Sequence, residues 1–309
     1  MPKLILVLSE NWTLVSPRDL RGLVRIVREA EDAGIDGVMV SEHVVLGPSA
    51  DAAGRPANPR EYALPGNQDP ATPWPASLVL LAAIAAATTR IRPIAAAVIA
   101  PLRHPLLLAK DLATLDLLSE GRLVVQPTVS WHRDEFDALG VPFHRRGELL
   151  DEHLAAWDAL WRGTPATFVG RHYRFAEVFL EPKPFRADGP TIWLGGSTLH
   201  PKLLRRIVRY ADGFHPLGSP TDGELRTLRG GMAEAGRDMA RFEMVGGIRG
   251  TFPDATHSAD LGLALGSIPG QFERGFTSIS FKPSQFVDDA DEVGPLCREP
   301  LRRVADMAS

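Results

Sequence analysis

The chain has 309 residues, with 34 Lys and Arg against 38 Asp and Glu; the net charge of −4 provides neither a basic footprint for nucleic acid nor a polybasic patch for a membrane. A single cysteine, Cys297, excludes an intrachain disulfide and any multi-cysteine metal site, which suits a reducing compartment. The apolar runs at 78–87 and 94–100 are too short to span a bilayer, and MPKLILVLSE lacks a basic leader, so a cytoplasmic location is expected.

Residues 3–8 read as a first strand. A helix follows from Pro17, with Ser16 as its N-cap and Leu20, Leu23, Val24 and Val27 at helical spacing. GIDGVMVSEH is the second strand and ends in Glu42 and His43. Residues 44–75 form a Pro/Gly/Asn-rich insertion with little periodicity, expected to be a lid over the end of that strand. The stretch 78–131 is the most regular: an Ala/Leu helix, the apolar strand IRPIAAAVIA, a helix from Pro105 closed by Gly121, and the strand RLVVQPTVSW. GELLDEHLAAWDALWRG is the fourth helix, and residues 165–185 carry an extra β-hairpin turning at Gly170.

Strand five, TIWL, leads through Gly195, Gly196 and Ser197 into a helix. GFHP, FEMVGGIRG and FTSISFK supply strands six to eight, with helices expected near 222–240, 258–274 and 288–308. Apolar strands joined by crossovers of helical length must pair in parallel, and eight of them can close without an edge. The expected fold is therefore a single (β/α)8 barrel over residues 1–309.

Chemistry in such a barrel lies at the C-terminal ends of its strands. His43 can move a proton near neutral pH, and the adjacent Glu42 is a candidate to orient it. Gly195, Gly196 and Ser197 opening a helix offer free backbone N–H groups to an anion, with Lys282 at the end of strand eight as a cation nearby. Gln126, Thr128, Ser130 and Trp131 end strand four, and His215 ends strand six. Ser9, Glu10 and Trp12, together with the insertion, are expected to shape a substrate pocket. The remaining histidines, His132 and His153 among them, lack metal-like spacing, and no metal site is expected.

The ordered run LAAIAAATTRIR, PLRHPLLLAKDLATLDLLSEGRLVV, EFDALGVPF and LDE, continued by FVGRHYRF, EPKPF, IWLGGS and YADGFHP, resembles the bacterial-luciferase-like flavin- and deazaflavin-dependent oxidoreductases over roughly residues 3–220. The resemblance implies a histidine beside the flavin ring at His43, a cofactor phosphate at the Gly195 turn, and a non-proline cis peptide at Ala97-Val98 backing the ring. Many relatives have glycines where this chain has Gln126, Thr128 and Ser130, and some deazaflavin-dependent ones have a catalytic glutamate where it has Trp131. The implied activity is two-electron chemistry on a small organic substrate, favoured as hydride transfer with coenzyme F420. Monooxygenation with reduced FMN (FMNH2) through a flavin peroxide is the alternative, and a flavin-binding or cofactor-free barrel without turnover is the second. An unrelated phosphate-binding lyase or isomerase barrel keeps the glycine turn but lacks a Schiff-base lysine to run on. Homodimerisation is common in the family.

Overall fold

The computed structural model describes residues 2–308, with side chains through Ala305. Eight strands close a parallel barrel: β1 (Lys3–Val7), β2 (Gly37–Val40), β3 (Arg92–Ile99), β4 (Val124–Thr128), β7 (Thr191–Leu194), β8 (Gly213–Phe214), β9 (Glu243–Gly247) and β10 (Ser278–Phe281). Closure comes from β1, which pairs with β2 on one side and with β10 on the other, Leu6 lying opposite Phe281. The two strands outside the barrel, β5 (Ala166–Val169) and β6 (Arg174–Val178), form the expected hairpin, with the Phe168 and Phe175 rings 5.7 Å apart.

The apolar strands lack polar alternation because both faces are covered. Ile5, Met39, Ile94, Val124, Trp193 and Val245 fill the barrel interior. Their neighbours Leu4, Leu6, Val38, Ala95, Val125 and Ile192 turn outward into the larger core beneath the helices. Those helices are α1 (Leu20–Ala33), α2 (Ser77–Ala87), α3 (Pro105–Leu118), α4 (Arg133–Ala138), α5 (Arg146–Arg162), α6 (Pro201–Tyr210), α7 (Asp222–Glu234), α8 (Leu261–Leu265), α9 (Ile268–Glu273) and α10 (Val293–Ala308). At the N-terminal end of the barrel, Glu243 receives Arg92 at 3.0 Å, Lys3 at 3.3 Å and the Ser278 hydroxyl at 2.6 Å, a closed charge cluster that holds its carboxyl below the usual range despite burial.

Several boundaries differ from expectation for local reasons. The first helix starts at Leu20, not Pro17, because Asp19 rather than Ser16 caps it, its carboxylate accepting from Gly22 N at 2.8 Å. The helix expected over 258–274 breaks into α8 and α9 around Gly266, with Pro269 entering the first turn of the second piece. The short α4 was not anticipated, and it carries a residue central to the site.

Candidate functional site

His43 follows β2 and is buried. Its Nδ1 lies 2.7 Å from Oε1 of Glu135, a fully buried carboxylate on α4 whose Oε2 accepts from Val44 N at 2.8 Å. Its Nε2 lies 3.3 Å from the Gln68 amide nitrogen, supplied by the insertion. The edges of Trp74, Trp131 and His132 close around the ring at centroid distances of 5.1, 5.7 and 6.1 Å. The His132 Nε2 accepts from Gly47 N at 2.7 Å, and burial pushes that imidazole's pKa down, so His132 stands neutral with its proton on Nδ1.

Glu42 does not orient His43. Its Oε1 accepts from Arg103 Nη1 at 2.7 Å and from Ile99 N at 3.1 Å; its Oε2 accepts from Arg103 Nη2 at 2.9 Å and from the Ser77 hydroxyl at 2.6 Å. Successive residues of an extended chain face opposite sides, so with His43 turned to the mouth Glu42 faces the helices. The carboxylate on His43 comes instead from Glu135, and sequence inspection missed both Glu135 and His132. The available signal was their position: both fall within five residues of Trp131, directly after a strand end that points at the mouth.

Gln126 on β4 accepts at Oε1 from His215 Nδ1 at 2.8 Å, a bridge reaching across β7 to the end of β8. Burial, aided by Arg249, pushes the His215 imidazole down to about 4. The close approach of these two residues explains Gly195: a Cβ there would stand 2.2 Å from the His215 backbone carbonyl oxygen and 2.7 Å from the Gln126 amide nitrogen. The turn of Gly195, Gly196 and Ser197 does not open the helix directly. The α6 helix starts four residues later at Pro201, and His200 caps it by accepting from Leu203 N at 3.2 Å. Ser197 is exposed at the rim. Ser130 keeps a left-handed backbone with φ of 57°, a conformation that favours glycine, and its hydroxyl accepts from His132 N at 3.4 Å. Thr128 and Trp131 remain half-buried at the mouth. The cis peptide lies one residue earlier than expected, at Ala96-Ala97; the register between β3 and β4 shifts there, so that Val98 returns to the ladder opposite Pro127.

Lys282 is neither a surface lysine nor a neighbour of the Gly195 turn. It is fully buried at the end of β10, three strands away in the barrel order, where its Nζ donates to Glu61 O at 2.9 Å and sits 5.6 Å from the Tyr62 ring. Glu10, after β1, accepts from Ala63 N at 3.3 Å. Burial raises the Glu10 carboxyl and lowers the Lys282 ammonium, and each partly offsets the other's shift. The adjacent strand ends thus grip residues 61 and 63 of the insertion. Ser9 accepts from Ser41 N at 2.7 Å and lines a small cleft with Trp12 and Trp74.

A flavin-type group fits the chemistry of this mouth. Trp12 Nε1, Trp74 Nε1, Gln68 Oε1 and His132 Nδ1 are buried without hydrogen-bond partners. Unpaired buried polar atoms cost roughly 1–3 kcal/mol each, and three of these four belong to side chains set directly against His43, where a polar partner would satisfy them. The residues that could hold such a group are Thr128, Ser130, Trp131 and the Gly195 turn.

A closed parallel barrel with a buried imidazole–carboxylate pair and aromatic side chains beyond its strand C-termini has the arrangement of a barrel-mouth site. Residues 1–256 match the luciferase-like monooxygenase family, and the chain belongs to it. An uncharacterized protein of Mycobacterium tuberculosis is 37% identical over 216 residues, 68% of this chain and 73% of that protein. The FMNH2-dependent dimethylsulfone monooxygenase of Pseudomonas putida is 33% identical over 151 residues, 48% of this chain but only 40% of that enzyme. Among solved structures, an F420-dependent secondary alcohol dehydrogenase superimposes with a TM-score of 0.72 at 15% identity, covering 98% of this chain and 99% of that one. A monooxygenase from Streptomyces bottropensis gives 0.70 at 20% identity, covering 99% of this chain and 100% of that one. Membership sets aside an unrelated lyase or isomerase barrel.

Proposed function

We propose that this chain is an oxidoreductase that binds a flavin-type cofactor at the barrel mouth and acts on a small organic substrate, with hydride transfer using coenzyme F420 as the favoured reaction. The observation that carries this reading is the His43–Glu135 pair at 2.7 Å, buried beneath aromatic edges. Exchanging a hydride at an alcohol or carbonyl carbon requires a proton to leave or reach the oxygen, and an oriented imidazole at the mouth performs that transfer. The cofactor supplies the two-electron chemistry, hydride exchange in the case of F420 and oxygenation in the case of reduced FMN.

In this reading His43 acts as acid or base and Glu135 orients it. Trp131, Thr128, Ser130 and the backbone around Ala97 and Val98 flank the ring, while Gly195, Gly196 and Ser197 receive the phosphate end. Gln126 orients His215. Ser9, Glu10, Trp12 and His215 face the substrate, and residues 44–75 close over it and exclude water. Lys282 holds that segment down through the Glu61 carbonyl. Reduced-FMN monooxygenation is the second reading, favoured by the 33% identity with the dimethylsulfone monooxygenase.

Titration of the purified protein with FMN, reduced FMN and F420, followed by tryptophan fluorescence and cofactor absorbance, separates the two. Micromolar binding of F420 without FMN supports hydride transfer, and His43→Ala is then expected to keep binding while turnover falls by 100-fold or more, on the order of what a general acid or base contributes. Binding of FMN alone transfers the lead to monooxygenation, and binding of neither overturns both.

A further inference from the structure

We infer that Glu135 holds His43 as the tautomer protonated on Nδ1, so that every proton His43 gains or loses at the mouth passes through Nε2. The inference deepens the proposed function, on which it rests for the identity of the reacting partner but not for the tautomer itself.

A backbone N–H can only donate, so Glu135 Oε2, 2.8 Å from Val44 N, is an acceptor. The other oxygen faces His43 Nδ1 at 2.7 Å, and an ionised carboxylate accepts at both oxygens, which places the ring proton on Nδ1. On the far side of the ring the Gln68 amide nitrogen, a donor, lies 3.3 Å from His43 Nε2, an arrangement that suits a bare Nε2. Gln68 Oε1 is buried without a partner. A half-turn of that amide brings Oε1 to the ring and satisfies it from Nε2–H when His43 is charged. Gln68 therefore serves both charge states of Nε2, whereas Glu135 accepts in both.

The remaining neighbours do not compete for Nδ1. His132 commits its Nε2 to Gly47 N, and Trp74 and Trp131 meet His43 with ring edges. Glu10 acts on His43 only through the field, without a hydrogen bond. A ligand that engages Nε2 takes the place of Gln68, so the insertion's amide stands in for the reacting group.

The measurement is a long-range 1H–15N correlation spectrum of the protein labelled at histidine, in which the His43 ring is identified as the spin system lost in His43→Gln. The neutral wild-type ring is expected to show a protonated Nδ1 and a bare Nε2. In Glu135→Gln, Val44 N–H retains the side-chain carbonyl, the new NH2 turns to Nδ1, and Nδ1 must now accept. The two nitrogen signatures then exchange, with the proton on Nε2. Gln68→Ala keeps the wild-type pattern. A wild-type ring protonated on Nε2 overturns the inference, as does a Glu135→Gln spectrum with the tautomer unchanged. If Glu135→Gln does not fold, the wild-type and Gln68→Ala spectra decide, since Nε2–H in either contradicts it. Failure of FMN and F420 to bind sinks the proposed function and leaves these spectra unaffected.

Discussion

Glu42 and Glu135 are both buried carboxylates near His43, and their fates differ because one is adjacent in sequence and the other in space. Glu42 accepts four hydrogen bonds, two of them a bidentate contact from Arg103. Glu42→Ala leaves that guanidinium unpaired and Ile99 N unsatisfied, and is expected to destabilise by about 3 kcal/mol in urea unfolding, the low end for a broken buried pair because Arg103 keeps some solvent. The same variant leaves the His43 tautomer as in wild type; a changed tautomer would show that Glu42 reaches the ring after all. Gly195→Ala drives a methyl group into the His215 carbonyl and is expected to cost about 2 kcal/mol, with loss of the Gln126–His215 bridge visible in the His215 ring signals. His43 was legible as a mouth residue from its place after a strand. Its partner was not, because hydrogen bonds spanning ninety-two positions leave no local pattern in the chain.

At the scale of elements, the insertion over residues 44–75 was legible as irregular but not as anchored. Asn58, almost fully buried, donates to Asp254 O at 3.0 Å and His257 O at 2.8 Å, while Arg60 donates to Thr256 O at 2.7 Å and pairs with Asp288. With the grips of Glu10 and Lys282, these tie the segment to the strand ends of β1, β9 and β10. Segments held by few buried contacts open locally at low free energy, and removing a tie lowers that cost. Asn58→Ala is expected to speed amide exchange across residues 55–68 by about tenfold, the effect of one net hydrogen bond near 1.4 kcal/mol, with little change in β1 to β4. Uniform acceleration across the barrel would instead make the segment part of the global fold. Proline and glycine revealed where the chain leaves the barrel; the side chains that draw it back come from loops some two hundred residues distant.

For the whole molecule, the eightfold alternation was readable because buried parallel strands are apolar throughout and several crossover helices are marked by a proline at the start, as at Pro105 and Pro201, or a glycine at the end, as at Gly34 and Gly163. The same architecture collects neutral histidines at its mouth, and this gives the protein a pH dependence with a definite sign. His215 is pushed down to about 4 by burial, whereas an imidazole in the unfolded chain titrates near ~6.5. The unfolded state thus binds a proton that the folded state refuses. The stability gained by keeping His215 neutral is complete above ~6.5, declines as the pH falls through the interval, and is gone below about 4. His132 and His153 are shifted the same way by burial, while the raised carboxyls of Glu10 and Asp116 act in the opposite sense. Comparing wild type with His215→Gln isolates one group, since the amide retains a donor for Gln126 Oε1. Urea unfolding between pH 4.5 and 6 is expected to show a shallower acid loss in the variant, by at most about 1.4 kcal/mol per pH unit, the value for one proton. Parallel pH profiles would mean that His215 charges freely within the folded barrel, with the Gln126 bridge accommodating the imidazolium.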